Sequence, residues 1–300
     1  MTGLGNLIKR NCKLFFKDKG MFFTSLITPM ILLVLYATFL AKVYRDAFVS
    51  GIPEFITIPE KIINGAVGGE LLSSLLAVSG VTVAFCSNML MVQDKVSGAR
   101  HDLTVTPVKK STLALSYYIS TAISTLVICF AAIGVGMIYM FKVGNYISVK
   151  DLLLVFLDVF LLVLFGTSLS SIINIFLTSQ GQISAVGTVV SSAYGFICGA
   201  YMPISQFGVG LQRVISFLPG TYATSLIRNH TMRGALAAMS DEGVPDEMIS
   251  EMMKAVDCKL YFFDKEVSLN TMYAILVCTV IVLIAVYILL NAVRKPSKGK

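Results

Sequence analysis

Six apolar blocks constrain this chain more than anything else in it: residues 21–41, 70–92, 113–141, 152–177, 183–202 and 270–293. Each matches or exceeds the ~20 residues an α-helix needs to cross a bilayer core about 30 Å thick. Lipid offers no partner to a bare peptide group, so such segments cross as helices that satisfy their own backbones. Composition agrees: 14% of the 300 residues are charged and 56% are hydrophobic, whereas soluble domains carry about a quarter charged residues. The expected fold class is an all-α polytopic membrane protein with six transmembrane helices in one domain over residues 1–300. Six cysteines show no CxxC or Cys/His ligand spacing, which removes the zinc and disulfide-framework readings.

The segments between blocks carry their own signals. Residues 1–20 predict an N-terminal interface helix. Leu4, Leu7, Ile8, Cys12 and Phe15 recur at helical spacing, and Lys9, Arg10, Lys13 and Lys17 fall opposite them, as in a helix lying among lipid headgroups. Pro29 predicts a kink in the first span. Residues 42–69 read as a polar loop and 93–112 as a charged one. Residues 203–269 are broken by Pro203, Gly208, Gly210 and Pro219 and read as re-entrant or external, with an amphipathic helix over 245–257.

Positive residues set the orientation. With the N-terminus, the 93–112 loop, the 178–182 turn and the tail on one side, that side holds thirteen Lys/Arg against three acids, +10. The other holds eleven against thirteen, −2. The first side is expected to be cytoplasmic, in a multi-pass protein of the cell membrane with both termini inside. The net charge of +7 is thereby a matter of topology, with no nucleic acid implied.

Little in the chain supports catalysis. His101 and His230 lie outside every block, a GxxxxGK[ST] phosphate loop does not occur, and Asp158 is the one acid deep in a block. The chain is read as a non-enzyme without catalytic, metal-binding or cofactor-binding residues. Asp158 could serve a secondary transporter or be an aspartate hydrogen-bonded near the membrane surface. Gly187, Ser191, Gly195 and Gly199, four residues apart, predict a flat face for close helix approach, within the chain or to a second copy. Thr167, Ser171, Asn174 and Thr178 form a polar stripe for interhelical hydrogen bonding or a wet pathway.

Residues 93–112 carry a resemblance. Asp94, Gly98, Leu103 and Thr106-Pro107-Val108 resemble the signature of type-2, export-class ABC transporter permeases: an acid, then Gly, then Leu, then Ser/Thr-Pro-Val. Gly199-Ala200-Tyr201-Met202-Pro203, the stretch Leu211–Leu218 ending at Pro219, Tyr222 and Arg228 are similar to the family's exit from the fifth span. The resemblance covers nearly the whole chain. It departs where the family often has Glu (Asp94 here) and Thr after the glycine (Ala99 here), and residues 240–266 look longer than the common pattern.

That resemblance implies a membrane subunit working with a separate ATP-binding subunit, which would hold ATP and Mg, and with a second permease copy, surrounded by membrane lipid. It assigns Asp94, Gly98, Arg100, Asp102, Leu103, Thr106 and Pro107 to coupling, with Asp94 pairing to Arg100 and Pro107 ending a short helix. It makes Lys9, Arg10, Lys13 and Lys17 the interface helix, and Gly187, Ser191, Gly195 and Gly199 a dimer seam or pathway. The implied cargo is an apolar drug, antimicrobial peptide or lipid-like molecule. A polysaccharide or lipid-linked glycan is the alternative, and a secondary transporter using Asp158 is the second alternative.

Overall fold

The structure, a computed structural model, describes residues 2–50, 56, 58–105, 108–263 and 265–293. Helix α1 (Thr2–Lys17) buries Leu7, Asn11 and Phe15 and leaves Lys9, Lys13 and Lys17 exposed. Asp18 then caps the next helix, its carboxylate accepting from the Met21 amide at 3.0 Å.

Helix α2 (Lys19–Leu35) passes through a π turn (Tyr36–Leu40) into α3 (Ala41–Ser50) without a break. The polar loop expected from residue 42 therefore starts later, and the next helix begins as early as Glu60. Leu32, Tyr36, Leu40, Tyr44 and Phe48 explain the extension, because all five are buried along one side. A spacing of four outruns the 3.6-residue period of an α-helix. The wider π turn absorbs the drift and keeps those side chains on the core.

Helix α4 (Glu60–Val96) runs 37 residues, about 55 Å, and is the axis of the bundle. Its apolar residues cover its whole circumference, the mark of a helix with no solvent face. Helices α5 (Ala99–Val105), α6 (Lys110–Val143), α7 (Val149–Phe176) and α8 (Gln180–Ile197) follow, and α2, α6, α7 and α8 all pack against α4. Small residues permit close contacts among these helices. A Cβ on Gly166 of α7 would lie 2.8 Å from the Gly80 carbonyl oxygen of α4, so the two backbones touch there.

Residues 203–269 hold more regular structure than their breaks suggest. A short 3-10 turn (Ile204–Gln206) and α9 (Val209–Ile215) lead into α10 (Pro219–Asp241), 23 residues that are almost wholly buried from Gly220 to Met232. Helix α10 packs on α4 and α7, and a Cβ on Gly69 of α4 would stand 2.6 Å from its Thr231 carbonyl oxygen. Its Arg228, Asn229, His230 and threonines hide it from a hydropathy reading. They are tolerated because each of these polar side chains has a partner inside the bundle. Helix α11 (Asp246–Ala255), the hairpin β1 (Tyr261–Phe262) and β2 (Lys265–Glu266), and α12 (Leu269–Val293) complete the chain. Met248, Ile249, Met252 and Met253 of α11 pack on the core.

Among the described residues five helical runs are long and apolar enough to cross a membrane: Lys19–Asp46, Glu60–Val96, Lys110–Val143, Val149–Phe176 and Leu269–Asn291. Helix α8 is not one of them. It spans 18 residues, about 27 Å, and two glutamines with several serines and threonines dilute it. The protein is an all-α, multi-pass membrane protein.

Candidate coupling and pathway site

The end of α4 that carries Asp94 gathers three consecutive side chains with three different tasks. Asp94, only 5% exposed, is buried by α1 and α6. Arg10 of α1 grips it with two nitrogens, Nη1 to Oδ2 at 2.7 Å and Nη2 to Oδ1 at 3.1 Å. The Tyr117 hydroxyl of α6 donates to the same Oδ2 at 2.5 Å. Paired hydrogen bonds between a guanidinium and a carboxylate are among the stronger polar contacts available. The Asp94 hydrogen bond raises the Arg10 pKa above its ordinary value, against the cost of partial burial. Asn11 extends the latch, bonding the Ser116 hydroxyl of α6 at 3.4 Å. The expected partner of Asp94 was Arg100; the structure pairs it with Arg10, because α4 is still helical at Asp94 and turns that carboxylate back onto α1.

Lys95 points the other way. Its ammonium donates to the carbonyls of Asn174 (2.7 Å) and Ile175 (3.0 Å), with Leu177 at 3.4 Å. These are the orphan carbonyls at the C-terminus of α7, where a cation also meets the negative end of the helix dipole. Residues 94 and 95 thus tie α1 to one side of α4 and α7 to the other.

Beyond them the chain turns sharply. Ser97 caps α4 and Gly98 sits at φ +83°, in the left-handed region. Helix α5 follows at once. Leu103 packs inward while His101, Asp102 and Val105 are exposed, so this seven-residue helix presents a mixed polar and apolar surface. Thr106 and Pro107 lie outside the described residues.

Gln93 faces a groove of about 670 Å³ between α2 and α8, floored by Cys86 and Met89 of α4. Ile27, Ile31 and Ile183 supply apolar walls, and Thr24, Thr188 and Ser191 add hydroxyls. The groove explains only part of the small-residue stripe on α8. Gly187 and Ser191 do line it, and a Cβ on Gly187 would meet Met89 at 2.6 Å. Gly195 instead lies beneath the Tyr201 ring of the same chain. Gly199 is beyond the helix, at φ +76°, where it turns the chain. The four do not form one flat seam, because α8 ends at Ile197 and residues 198–204 fold back over it.

At the opposite end of α4, 24 residues or about 36 Å away, lies a buried charge cluster that spacing did not reveal. The Arg228 guanidinium of α10 is fully buried and forms an ion pair with Glu70 of α4 at 2.7 Å. It also faces Asp257 at 3.4 Å and donates to the carbonyls of Gly199 (2.9 Å) and Val256 (2.8 Å). Burial pushes the Asp257 carboxyl up; Arg228 and the Ile204 amide, which donates at 2.7 Å, pull it back. Glu70, Arg228 and Asp257 are far apart in sequence and share no period, so only the fold joins them. Asp158 of α7 is likewise occupied: His230 Nδ1 lies 2.6 Å from one oxygen and the Tyr273 hydroxyl donates to the other at 2.5 Å. In the polar stripe of α7, Ser171 is bonded by Asn88 of α4 at 2.9 Å, an interhelical hydrogen bond.

The geometry is that of a membrane bundle with an amphipathic helix latched beneath it, a short exposed helix beside the latch, and a groove opening between α2 and α8. Comparison with known families adds one match: the family described as ABC-2 type transporter matches residues 2–231, from α1 through most of α10. No curated protein matches the chain. A match over this share of the chain, joined to the helical membrane bundle, shows that the protein belongs to the ABC-2 type transporter family, as a membrane-spanning transport subunit.

Proposed function

We propose that the protein is the permease of an ATP-driven exporter, powered by a separate ATP-binding subunit that docks on α1 and α5. One observation carries this reading: Gln93 lines the groove, Asp94 holds α1 and Lys95 holds α7. A push on α5 reaches all three through the turn at Gly98. Exposed Lys9, Lys13 and Lys17 on α1, with His101, Asp102 and Val105 on α5, are the surface such a subunit would grip. The docking end is cytoplasmic by the charge asymmetry, α8 is the fifth of six spans, and ATP and Mg belong to the partner.

The groove supports an apolar or amphiphilic cargo. Its volume falls within the ~300–1,000 Å³ usual for small-molecule sites, and isoleucine and methionine side chains share its lining with six hydroxyls, two glutamines and Asp18, a mixture suited to an amphiphile. Beside the groove Phe23, Ile27, Met30, Ile31 and Val34 of α2 are exposed, and a second copy of the chain facing them would close the pathway. Asp158 is hydrogen-bonded to His230 and Tyr273, contacts that hold α7 to α10 and α12.

Purification of the full-length chain from its native membrane tests the reading. A stoichiometric ATP-binding subunit is expected, its ATPase in liposomes stimulated by apolar drugs, peptides or lipids more than by lipid-linked glycans. Transport by the chain alone, without that subunit, overturns the proposal.

A further inference from the structure

Near the Glu70 end, α9, α11 and the β1–β2 hairpin enclose a pocket of about 220 Å³ that the transport reading does not use. Three cations line it: Arg213 of α9, Lys254 of α11 and Lys259 from the segment between α11 and β1. The Arg213 guanidinium lies over the Phe263 ring at 5.4 Å, the Lys254 ammonium over the Tyr261 ring at 5.2 Å, and Lys259 donates to the Ser250 hydroxyl at 2.7 Å. These contacts position the charges without neutralising them. Among the described residues none of the three pairs with an acid. Among the described residues the acid that lines the pocket is Asp257, engaged by Arg228 and the Ile204 amide.

The rim has a different character. Val209, Val214, Phe217 and Phe262 are exposed beside the pocket, and Phe217 meets Phe262 edge to face at 5.1 Å. Exposed aromatic and aliphatic side chains next to cations that have no acid partner among the described residues suit a membrane–water interface, where acyl chains meet phosphates. The pocket is smaller than the ~300 Å³ at which drug-sized sites begin, so it fits a headgroup rather than a whole amphiphile.

We propose that this pocket binds the phosphodiester headgroup of an anionic phospholipid. Arg213, Lys254 and Lys259 take the phosphate, and the acyl chains lie over Phe217 and Phe262. The apolar rim selects lipid over free phosphate. The site would make the anionic lipid of that leaflet a ligand of the segment between α8 and α12.

The chain has no tryptophan, so Phe262→Trp places a single reporter on the rim. Full-length protein carrying it, in phosphatidylcholine nanodiscs, is titrated with brominated phosphatidylglycerol or brominated phosphatidylcholine. Phosphatidylglycerol is expected to associate about tenfold more tightly, three partly screened cations each contributing. The combined variant Arg213→Gln, Lys254→Gln and Lys259→Gln should abolish the preference with the thermal transition unchanged. Charge reversal at exposed Lys254 alone, Lys254→Glu, should weaken it several-fold and puts folding at no risk. Equal quenching by the two lipids, or a preference that survives Lys254→Glu and the combined variant, overturns the site. Full relief of quenching by millimolar inorganic phosphate reassigns the pocket to a free anion and overturns the lipid assignment. No readout here depends on transport, so failure leaves the permease reading untouched.

Discussion

Breaking the Arg10–Asp94 latch should free α1 from the bundle, and the size of that effect follows from its geometry. Two charge-assisted hydrogen bonds join the pair, and bonds to charged groups contribute about 1.5–3 kcal/mol each. The Arg10 side chain is 31% exposed, so water screens much of this; about 2 kcal/mol for the pair is a fair figure. Cys12 reports the docking of α1. Its thiol lies half-buried 3.7 Å from the Ser120 carbonyl of α6, and burial pushes its pKa up. Docking therefore protects Cys12 from a water-soluble maleimide in two ways, by access and by suppressing the thiolate. If labelling passes through undocking, 2 kcal/mol corresponds to about 30-fold in rate.

Arg10→Ala and Asp94→Ala should each accelerate Cys12 labelling by about that factor, resolved from the other cysteines by peptide mass. The double variant should label about as fast as either single one, because both remove the same interaction. Independent contributions would multiply toward ~1,000-fold, and that result refutes the latch. So would unchanged labelling in Arg10→Ala. The same variants should lose substrate-stimulated ATPase activity in the assembled transporter.

Other expectations follow from particular residues. Gly98→Ala has free space around the new methyl but must hold φ +83°, a backbone cost of about 1–2 kcal/mol. It should lower substrate-stimulated ATPase activity while leaving the thermal transition of the membrane domain in place. Arg228→Met strands Glu70 and Asp257 and should cost about 3–5 kcal/mol, seen as loss of the monodisperse peak in size-exclusion chromatography. Adding Glu70→Gln and Asp257→Asn should restore much of that peak. Gly166→Val would force α7 away from the Gly80 backbone and should lower the melting temperature more than Gly187→Ala, where only the flexible end of Met89 must move. Asp158→Asn should leave transport insensitive to a protonophore; proton-dependent transport that this variant abolishes would restore the secondary-transport reading.

Much of the architecture was legible from residue order because bilayer thickness and backbone hydrogen bonding act on every local segment alike. Helices at all six apolar blocks, the amphipathic α1 and the charged turn after α4 follow from local pattern. Other features were decided by contacts that local pattern does not record. The helix runs on to Ser50 because Tyr44 and Phe48 find the core. Helix α10 has the polarity of a surface segment and the burial of a core one. The evenly spaced Gly187, Ser191, Gly195 and Gly199 mimic a helix seam, yet close approaches to another segment's backbone fall at Gly69, Gly144, Gly166 and Gly234, which share no repeat.

Residue order alone therefore determined that this is a bundle of membrane helices, and it singled out the charged loop after α4 as a candidate to receive force. The tertiary structure decided what that loop is fastened to. Asp94 and Lys95 are neighbours in sequence, but helical rotation sends one to Arg10 and Tyr117 and the other to the end of α7. Glu70, Arg228 and Asp257 likewise became one site only when α4, α10 and the end of α11 met. Ion pairs of this kind depend on distance in space, and separations of 29 to 158 residues leave no trace in a local pattern.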